Sequence, residues 1–260
     1  MRILVTGATG FIGRATVSYL MSQGHHVVAL TTLSKIKDFQ GVRDSVGGGV
    51  DVAVFDGNRE DLHSQLELAD VVVNLAGNSL AGVRWTERKK RVFWSSRVDF
   101  TQMISQEIQK CASPPAIFIS ASAVGYYGDC ESELLSDVSP KGSGYLADLC
   151  DEWEQAALLA ESENTRVCIL RLGVVLGREG GILSQISPTF DLGIGTFIGD
   201  GKQFVPWIHL TDVVRVIGYC INTKTISGPI KEGSAGRRIA SGLRGKQPYR
   251  RDPSIWSDGG

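Results

Sequence analysis

The sequence predicts an α/β fold in which a doubly wound parallel sheet carries a small, incomplete substrate-side subdomain. Three observations lead there. Short β-rich apolar runs alternate with helical patterns along most of the 260 residues. The runs are continuously apolar, as strands covered on both faces must be. The first of them leads directly into a glycine-rich turn and a helix.

In order, Arg2–Thr6 reads as the first strand and Phe11–Gln23 as the first helix, which Gly24 is placed to stop. His26–Thr31 and Asp51–Phe55 are the second and third strands, and Glu60–Leu68 is the helix after them. Val71–Leu75 is the fourth strand. Thr86–Lys110 then reads as one long helix, ended by Pro114 and Pro115. Ala116–Ser120 and Val167–Leu172 are the fifth and sixth strands, on either side of a helix over Tyr145–Glu163. Residues 177–201 are glycine-rich and keep no sheet rhythm. Val205–Leu210 resumes a strand-like run, and Thr211 and Asp212 are placed to cap a helix reaching Ile221.

The expected organisation is a sheet domain over residues 1–177, rejoined by 205–225, with a substrate-side segment at 178–204. Residues 228–260 read as an atypical, poorly ordered tail: from Lys231 onward there are seven Lys/Arg against three Asp/Glu and six glycines, with hardly any periodic apolar residues.

Composition narrows the function classes. A net charge of −1 gives no overall field for nucleic acid or an anionic membrane. The basic run Arg88–Arg91 reads as the solvated face of a helix. No apolar run reaches the roughly 18 to 20 residues of a membrane span. The chain opens straight into a strand pattern, so a cytoplasmic protein is expected, a removed organellar targeting segment being the alternative. The five cysteines, Cys111, Cys130, Cys150, Cys168 and Cys220, are scattered and match no metal-ligand spacing. They point to a reducing compartment and to no metal.

Gly7-Ala8-Thr9-Gly10-Phe11-Ile12-Gly13 is a Rossmann-type phosphate turn. Glycines here permit a tight turn, a close approach of backbone to a pyrophosphate, and close packing of helix on strand. The anion then meets the free N–H groups and dipole of the helix N-terminus. Binders of NAD place an acid about 20 residues further on, for the ribose 2′-hydroxyl. Here the second strand ends Thr31-Thr32-Leu33-Ser34-Lys35, with no acid before Asp38. Hydroxyls at Thr31 and Thr32 with Lys35 and Lys37 suit a 2′-phosphate, and NADP(H) is the expected cofactor. The plainer reading of the two lysines is a solvated loop.

Further motifs, in order, resemble the extended short-chain dehydrogenase/reductases. Asp56 follows the third strand, where the family's aspartate contacts adenine, and Asn74-Leu75-Ala76-Gly77 follows the fourth, where a similar turn shapes the cofactor cleft. Arg84-Trp85-Thr86-Glu87, Ser96-Arg97, the run from Ser120 to Gly128, Cys150 to Glu154, Arg171 to Gly177 and Pro206 to His209 narrow this to the atypical "epimerase family" branch. Its bacterial members are described as cell-division-inhibitor-like, and its plant members are tied to plastid division. The resemblance covers residues 1–225 and implies that Ser120, Leu172, Gly173, Val174 and Arg97 also border the cofactor. Family members continue into a mostly helical C-terminal segment. From about Gly228 this chain departs from that pattern, so a truncated or alternative C-terminus is expected.

The resemblance also implies where catalysis would lie. Hydride-transferring relatives use Tyr-x-x-x-Lys on the helix after the fifth strand, with a strand hydroxyl polarising the substrate oxygen. Ser122 stands where that hydroxyl is expected. Tyr145 is followed four residues later by Leu149, and the alternative register places Leu146 and Cys150, so neither supplies a lysine. Three readings stay open: Tyr126 or Tyr127 replaces the missing acid; the cofactor is bound without efficient redox chemistry; or other groups act. In the substrate region Gln203, Trp207 and His209 are candidate pocket residues, with His209 equally read as a structural hydrogen-bonder. Arg97, where ordinary extended members carry asparagine, is a candidate for an anionic or polar substrate group or else a surface arginine. An NADP(H)-binding oxidoreductase or epimerase-like enzyme on a small-molecule substrate is the leading expectation. The rival is a non-catalytic NADP(H)-binding regulator, for example of division. Pairing through the two long helices makes a homodimer a further expectation.

Overall fold

The computed structural model describes residues 1–37, 49–80, 83–130, 133–178, 180–191 and 205–232. Its strands are β1 (Arg2–Thr6), β2 (His26–Thr31), β3 (Asp51–Val54), β4 (Val71–Asn74), β5 (Ile117–Ala123), β6 (Arg166–Leu172), β7 (Val174–Gly177), β8 (Trp207–His209) and β9 (Gly228–Glu232). Its helices are α1 (Phe11–Ser22), α2 (Arg59–Glu67), α3 (Glu87–Trp94), α4 (Phe100–Ile108), α5 (Tyr145–Leu158), α6 (Gly181–Asp191) and α7 (Leu210–Asn222). Seven strands form one sheet in the order β3-β2-β1-β4-β5-β6-β9, every pair parallel. β7 and β8 make a separate parallel pair. The strand order reverses between β1 and β4, and a crevice opens there at the carboxyl ends of the strands.

Alternation of side chains along each strand divides the core into two layers. Ile3, Val5, Val71, Val73, Ile119 and Leu170 face one side, against α1 and α7 through Val17, Leu20, Val213 and Ile217. Leu4, Val72, Phe118 and Ile169 face the other, against Leu62 and Leu66 of α2 and Ile104 and Ile108 of α4. The β-branched run Val71-Val72-Val73 is buried on both faces, which suits a central strand. Caps set the helix starts: the side chain of Asn58 accepts from Glu60 N–H, and that of Thr86 from Lys89 N–H. Among the described residues no helix is long and apolar enough to cross a membrane.

The structure departs from the sequence reading in five places. The expected long helix over 86–110 is broken between α3 and α4 by a π-helical turn, Ser95–Asp99. There Ser96 Oγ accepts from Asn78 N–H at 3.2 Å and Arg97 donates to the Asn78 carbonyl at 2.9 Å, contacts that no helical period announces. β5 runs on to Ala123, so Ser122 lies within the strand, opposite Arg171 of β6, and not just past it. The stretch after Gly177 contains a helix, α6, and is preceded by β7. Its glycines are a packing device: a Cβ on Gly177, Gly180 or Gly181 would meet the Phe11 ring at 2.8, 2.5 and 3.1 Å. α7 is capped by His209, whose Nδ1 accepts from Thr211 N–H at 3.2 Å, and not by Thr211. Finally, Gly228–Glu232 is no tail but the edge strand β9, in register with Cys168–Leu172 and tied by Lys231 N–H to Asp137 Oδ1 at 2.6 Å. A five-residue edge strand that tolerates Pro229 leaves little periodic signal. The rest of the expected tail lies outside the described residues.

Phe118 is fully buried in the second core layer. Phe118→Ala should lower the unfolding free energy by about 3–5 kcal/mol, measured by urea denaturation, while the native far-ultraviolet circular dichroism spectrum is kept.

Candidate functional site

The crevice at the strand reversal is walled by the turn after β1. Gly7 has φ +68°, and a Cβ there would fall 2.5 Å from the Leu75 carbonyl oxygen, so the ends of β1 and β4 close on each other only through glycine. At Gly13 a Cβ would lie 2.1 Å from the Gly7 carbonyl, which sets α1 hard against the turn. Around Gly10 a Cβ would meet only the Gly7 carbonyl, at 3.2 Å, and this middle glycine lines open space. Gly10 is also the N-cap of α1. No side chain caps it and no acid lies in the first turn, so the helix presents uncompensated N–H groups and an unopposed dipole to the crevice.

The cavity measures about 460 Å³. From the α1 terminus it runs one way to Thr31, Thr32, Ser34 and Lys35, and the other way past Leu75, Ala76 and Gly77 to Asn78, Ser95 and Ser96. Leu30, Phe55 and Phe100 give it apolar wall, the two rings 5.7 Å apart and tilted by 54°. Thr32 and Ser34 hydroxyls are 3.0 Å apart, beside the exposed Lys35. Among the described residues lining that end there is no acid; Asp38 lies outside them. A donor-rich helix end, a hydroxyl and ammonium cluster, and an apolar wall between fit a phosphorylated dinucleotide.

Of the residues expected at the cofactor, Gly7, Thr9, Gly10, Thr31, Thr32, Lys35, Leu75, Ala76 and Gly77 line the cavity. The others do not. Phe11 packs under the glycines around α6, Ile12 against the core, and Gly13 beneath Gly7. Asp56 is exposed and accepts from Asn58 N–H at 2.9 Å. Ser120 and Leu172 are buried. Gly173 fits against the Pro206 carbonyl, to which Val174 N–H donates at 2.8 Å. Phe55, Phe100, Ser95 and Ser96 were missed. Both phenylalanines read as strand or helix interior, and the serines reach the cavity only because of the π-helical turn.

The candidate catalytic residues are brought together, but around a buried ion pair. Arg171 grips Glu154 with two hydrogen bonds, Nε to Oε1 at 2.8 Å and Nη2 to Oε2 at 2.7 Å, and both side chains are 4% exposed. Ser122, buried within β5, donates to Glu154 Oε1 at 2.6 Å. Its hydroxyl proton is therefore engaged and does not face a substrate. Tyr127 is fully buried and its hydroxyl accepts from Arg171 Nη1 at 3.0 Å. Burial pushes that phenol above its ordinary pKa, the Arg171 hydrogen bond acting in the opposite sense. Tyr126 is half-buried, its ring centroid 3.6 Å from the Arg171 guanidinium carbon. None of the three lines the cavity.

The two registers weighed for the missing dyad are distinguished. Tyr145 donates its hydroxyl to the Lys90 carbonyl, and Leu149 is core. Leu146 and Cys150 face the turn after β5: a Cβ on Gly125 would lie 3.5 Å from each. That face of α5 carries neither tyrosine nor lysine, and burial raises the Cys150 thiol to about 11. Arg97 stands beyond Gly77 over the Trp153 ring. Trp207 is half-buried in β8, His209 is spent on capping α7, and Gln203 lies outside the described residues. Among the described residues no three His, Cys, Asp or Glu are placed to hold a metal.

The model of the NAD dependent epimerase/dehydratase family matches residues 3–229. The chain belongs to that family. It is 34% identical over 245 residues to a chloroplastic SDR39U1 homologue of Arabidopsis thaliana, covering 93% of this chain and 68% of that one. It is 35% identical to the epimerase family protein SDR39U1 of Mus musculus, over 88% of this chain and 73% of the mouse one. Among solved structures, human SDR39U1 (isoform 2) with NADPH superposes with a TM-score of 0.77 at 32% identity, covering 91% of this chain and 76% of the human one. A Bacillus cereus UDP-glucuronic acid 4-epimerase, at 22% identity and TM-score 0.76, shares the fold. The Rossmann fold and the epimerase-family branch expected from the motifs are both borne out.

Glu154→Ala would leave Arg171 buried without its partner and should cost about 3–5 kcal/mol in a denaturation series. The double variant Glu154→Met with Arg171→Met, which removes both charges, should recover most of that loss. An equal loss in both would mean that packing, and not charge, holds the turn after β5.

Proposed function

We propose that this chain binds NADP(H) in the cavity at the ends of β1 and β4 and acts as an oxidoreductase or epimerase-like enzyme on a small molecule. The uncapped α1 terminus, continuous with an acid-free cluster of Thr31, Thr32, Ser34 and Lys35, is the observation that carries this reading. NADPH in the human relative supports it. The pyrophosphate would lie against the α1 N–H groups and the 2′-phosphate against those hydroxyls and the Lys35 ammonium. Phe55 and Phe100 offer an apolar wall to the base. The cofactor supplies a nicotinamide able to give or take a hydride; the chain holds and orients it. Tyr126 is the one of the three candidate hydroxyls that makes no hydrogen bond among the described residues, which makes it the proton carrier to test. Five cysteines outside any disulfide suit a reducing compartment, the cytoplasm or, as for the Arabidopsis relative, a plastid.

One observation favours a second reading, a non-catalytic NADP(H)-binding regulator. Ser122 and Tyr127 are committed to the Glu154–Arg171 pair, and the side of α5 against Gly125 presents Leu146 and Cys150, neither a lysine. Turnover of NADPH with carbonyl compounds would favour the enzyme; cofactor binding without turnover, even on a broad panel, would favour the regulator.

Titration of the purified protein with NADPH and NADH, followed by tryptophan fluorescence, tests the shared premise. NADPH should bind about tenfold or more tightly than NADH, and Lys35→Glu should erase that preference, since a charged hydrogen bond contributes about 1.5–3 kcal/mol. No binding of either dinucleotide would overturn the reading.

A further inference from the structure

Cys168 in β6 and Cys220 in α7 do not line the cofactor cavity. Both are fully buried in the core layer that α1 and α7 cover. Their thiols hydrogen-bond to each other, so strand and helix meet sulfur to sulfur. Arg166, two residues before Cys168 on the same face of β6, completes the group. Its Nη1 donates to Cys168 Sγ at 3.0 Å and to the Ile226 carbonyl, and its Nη2 donates to the Cys220 carbonyl at 2.8 Å. Neutral oxygens from the end of α7 and the turn after it thus hold a guanidinium against one of the two sulfurs. The Cys220 hydrogen bond draws the Cys168 thiol below its ordinary pKa, against the effect of burial, and the Arg166 charge adds to the lowering. Burial raises the thiols of Cys111 and Cys150 instead, each to about 11.

The cover over the pair is thin. Half-buried Ile226 sets its carbonyl 3.3 Å from Cys168 Sγ, while Lys224, Thr225 and Ser227 beside it are exposed. The turn is closed by Ile226 N–H on the Thr223 carbonyl at 3.3 Å. A short surface turn of this kind opens without unfolding the core beneath it. We propose that Cys168 and Cys220 are a redox-active pair, converted by hydrogen peroxide to a disulfide that joins β6 to α7, with Arg166 holding Cys168 as the attacking thiolate. The Cys168 thiolate attacks one peroxide oxygen and the O–O bond breaks. Hydroxide leaves, takes up the proton that Cys168 gave up, and a sulfenic acid remains on Cys168. The Cys220 sulfur then attacks Cys168, the S–O bond breaks, and the second hydroxide leaves as water with the Cys220 proton. Two thiols lose two electrons, and one peroxide becomes two waters. In a reducing compartment such a bond is transient and reports oxidant rather than supporting the fold. The inference is independent of the NADP(H) reading.

The test uses the full chain, reduced, freed of reductant and treated with hydrogen peroxide while its far-ultraviolet circular dichroism stays native. Remaining thiols are alkylated, and the protein is digested with trypsin without reduction. Mass spectrometry should find peptide 167–171 joined to peptide 216–224, and dithiothreitol should separate them. Bond formation, followed by the loss of alkylated peptide 216–224, should be about tenfold slower in Arg166→Gln and less affected in Arg166→Lys. In Cys220→Ser the chemistry should stop at the Cys168 sulfenic acid, which dimedone traps. Cys220→Ser and Arg166→Lys are close in shape to the wild type, so they decide the matter even if Arg166→Gln fails to fold. Both peptides recovered as alkylated thiols would overturn the proposal, as would a bond that forms only after urea has unfolded the chain. A bond from either cysteine to Cys111, Cys130 or Cys150 would overturn it too. An unchanged rate in both Arg166 variants would overturn the role given to the arginine.

Discussion

The hydroxyl of Thr6 and the side-chain carbonyl of Asn74, 2.7 Å apart at the ends of β1 and β4, fix the point at which the sheet reverses. Neither residue is more than 1% exposed, so each polar atom must find a partner inside the protein. Asn74 passes its amide to Thr101 at 2.8 Å, and Trp153 donates to the same hydroxyl at 2.9 Å. One run of hydrogen bonds thus joins two strands to α4 and α5. Thr6 also accepts from Ala76 N–H at 3.2 Å, which draws the chain after β4 toward Gly7 and gives the cleft its inner wall. In a low-dielectric interior such a run holds only when every member is satisfied. The cleft is therefore a consequence of buried polar chemistry as much as of sheet topology.

Two arginines near that cleft have opposite electrostatic situations. Arg171 is neutralised by a bidentate carboxylate, and the pair gathers Ser122, Tyr126 and Tyr127 around it. A hydroxyl at the position of Ser122 would polarise a substrate if it pointed outward. Here Glu154 draws it inward, and the group becomes part of the scaffold that shapes the turn after β5. Arg97 has neutral oxygens and the Trp153 ring for neighbours. A carboxylate balances the charge of one guanidinium, while a carbonyl, a hydroxyl and an indole ring hold the other in place.

Most of the sheet was legible because parallel strands buried on both faces have no other way to appear in a sequence: β1 and β2 fall on the boundaries expected from their apolar runs. The phosphate turn was legible because three glycines at fixed offsets answer three separate steric demands. What stayed hidden has physical causes of its own. Gly177, Gly180 and Gly181 read as loop because local sequence cannot report that the ring of Phe11, far earlier in the chain, fills the space their side chains would take. Ser122 read as a catalytic hydroxyl because its partner Glu154 lies 32 residues away, and hydrogen-bond direction is a tertiary fact. His209, weighed as either proton carrier or structural bonder, has a local answer: its ring nitrogen reaches the N–H two residues on, as an N-cap does.

The π-helical turn and the missing lysine have a common electrostatic logic. The face of α5 that looks toward the turn after β5 carries Leu146 and Cys150, an alkyl group and a thiol kept neutral by burial. Arg97 is close enough to feel Cys150 electrostatically. A lysine in place of Cys150 would set a second cation beside Arg97 in a partly desolvated pocket, where like charges repel strongly. One extra residue in the helix between α3 and α4 turns Arg97 toward Gly77 and Trp153 and brings a cation to the inner end of the cleft from a different element.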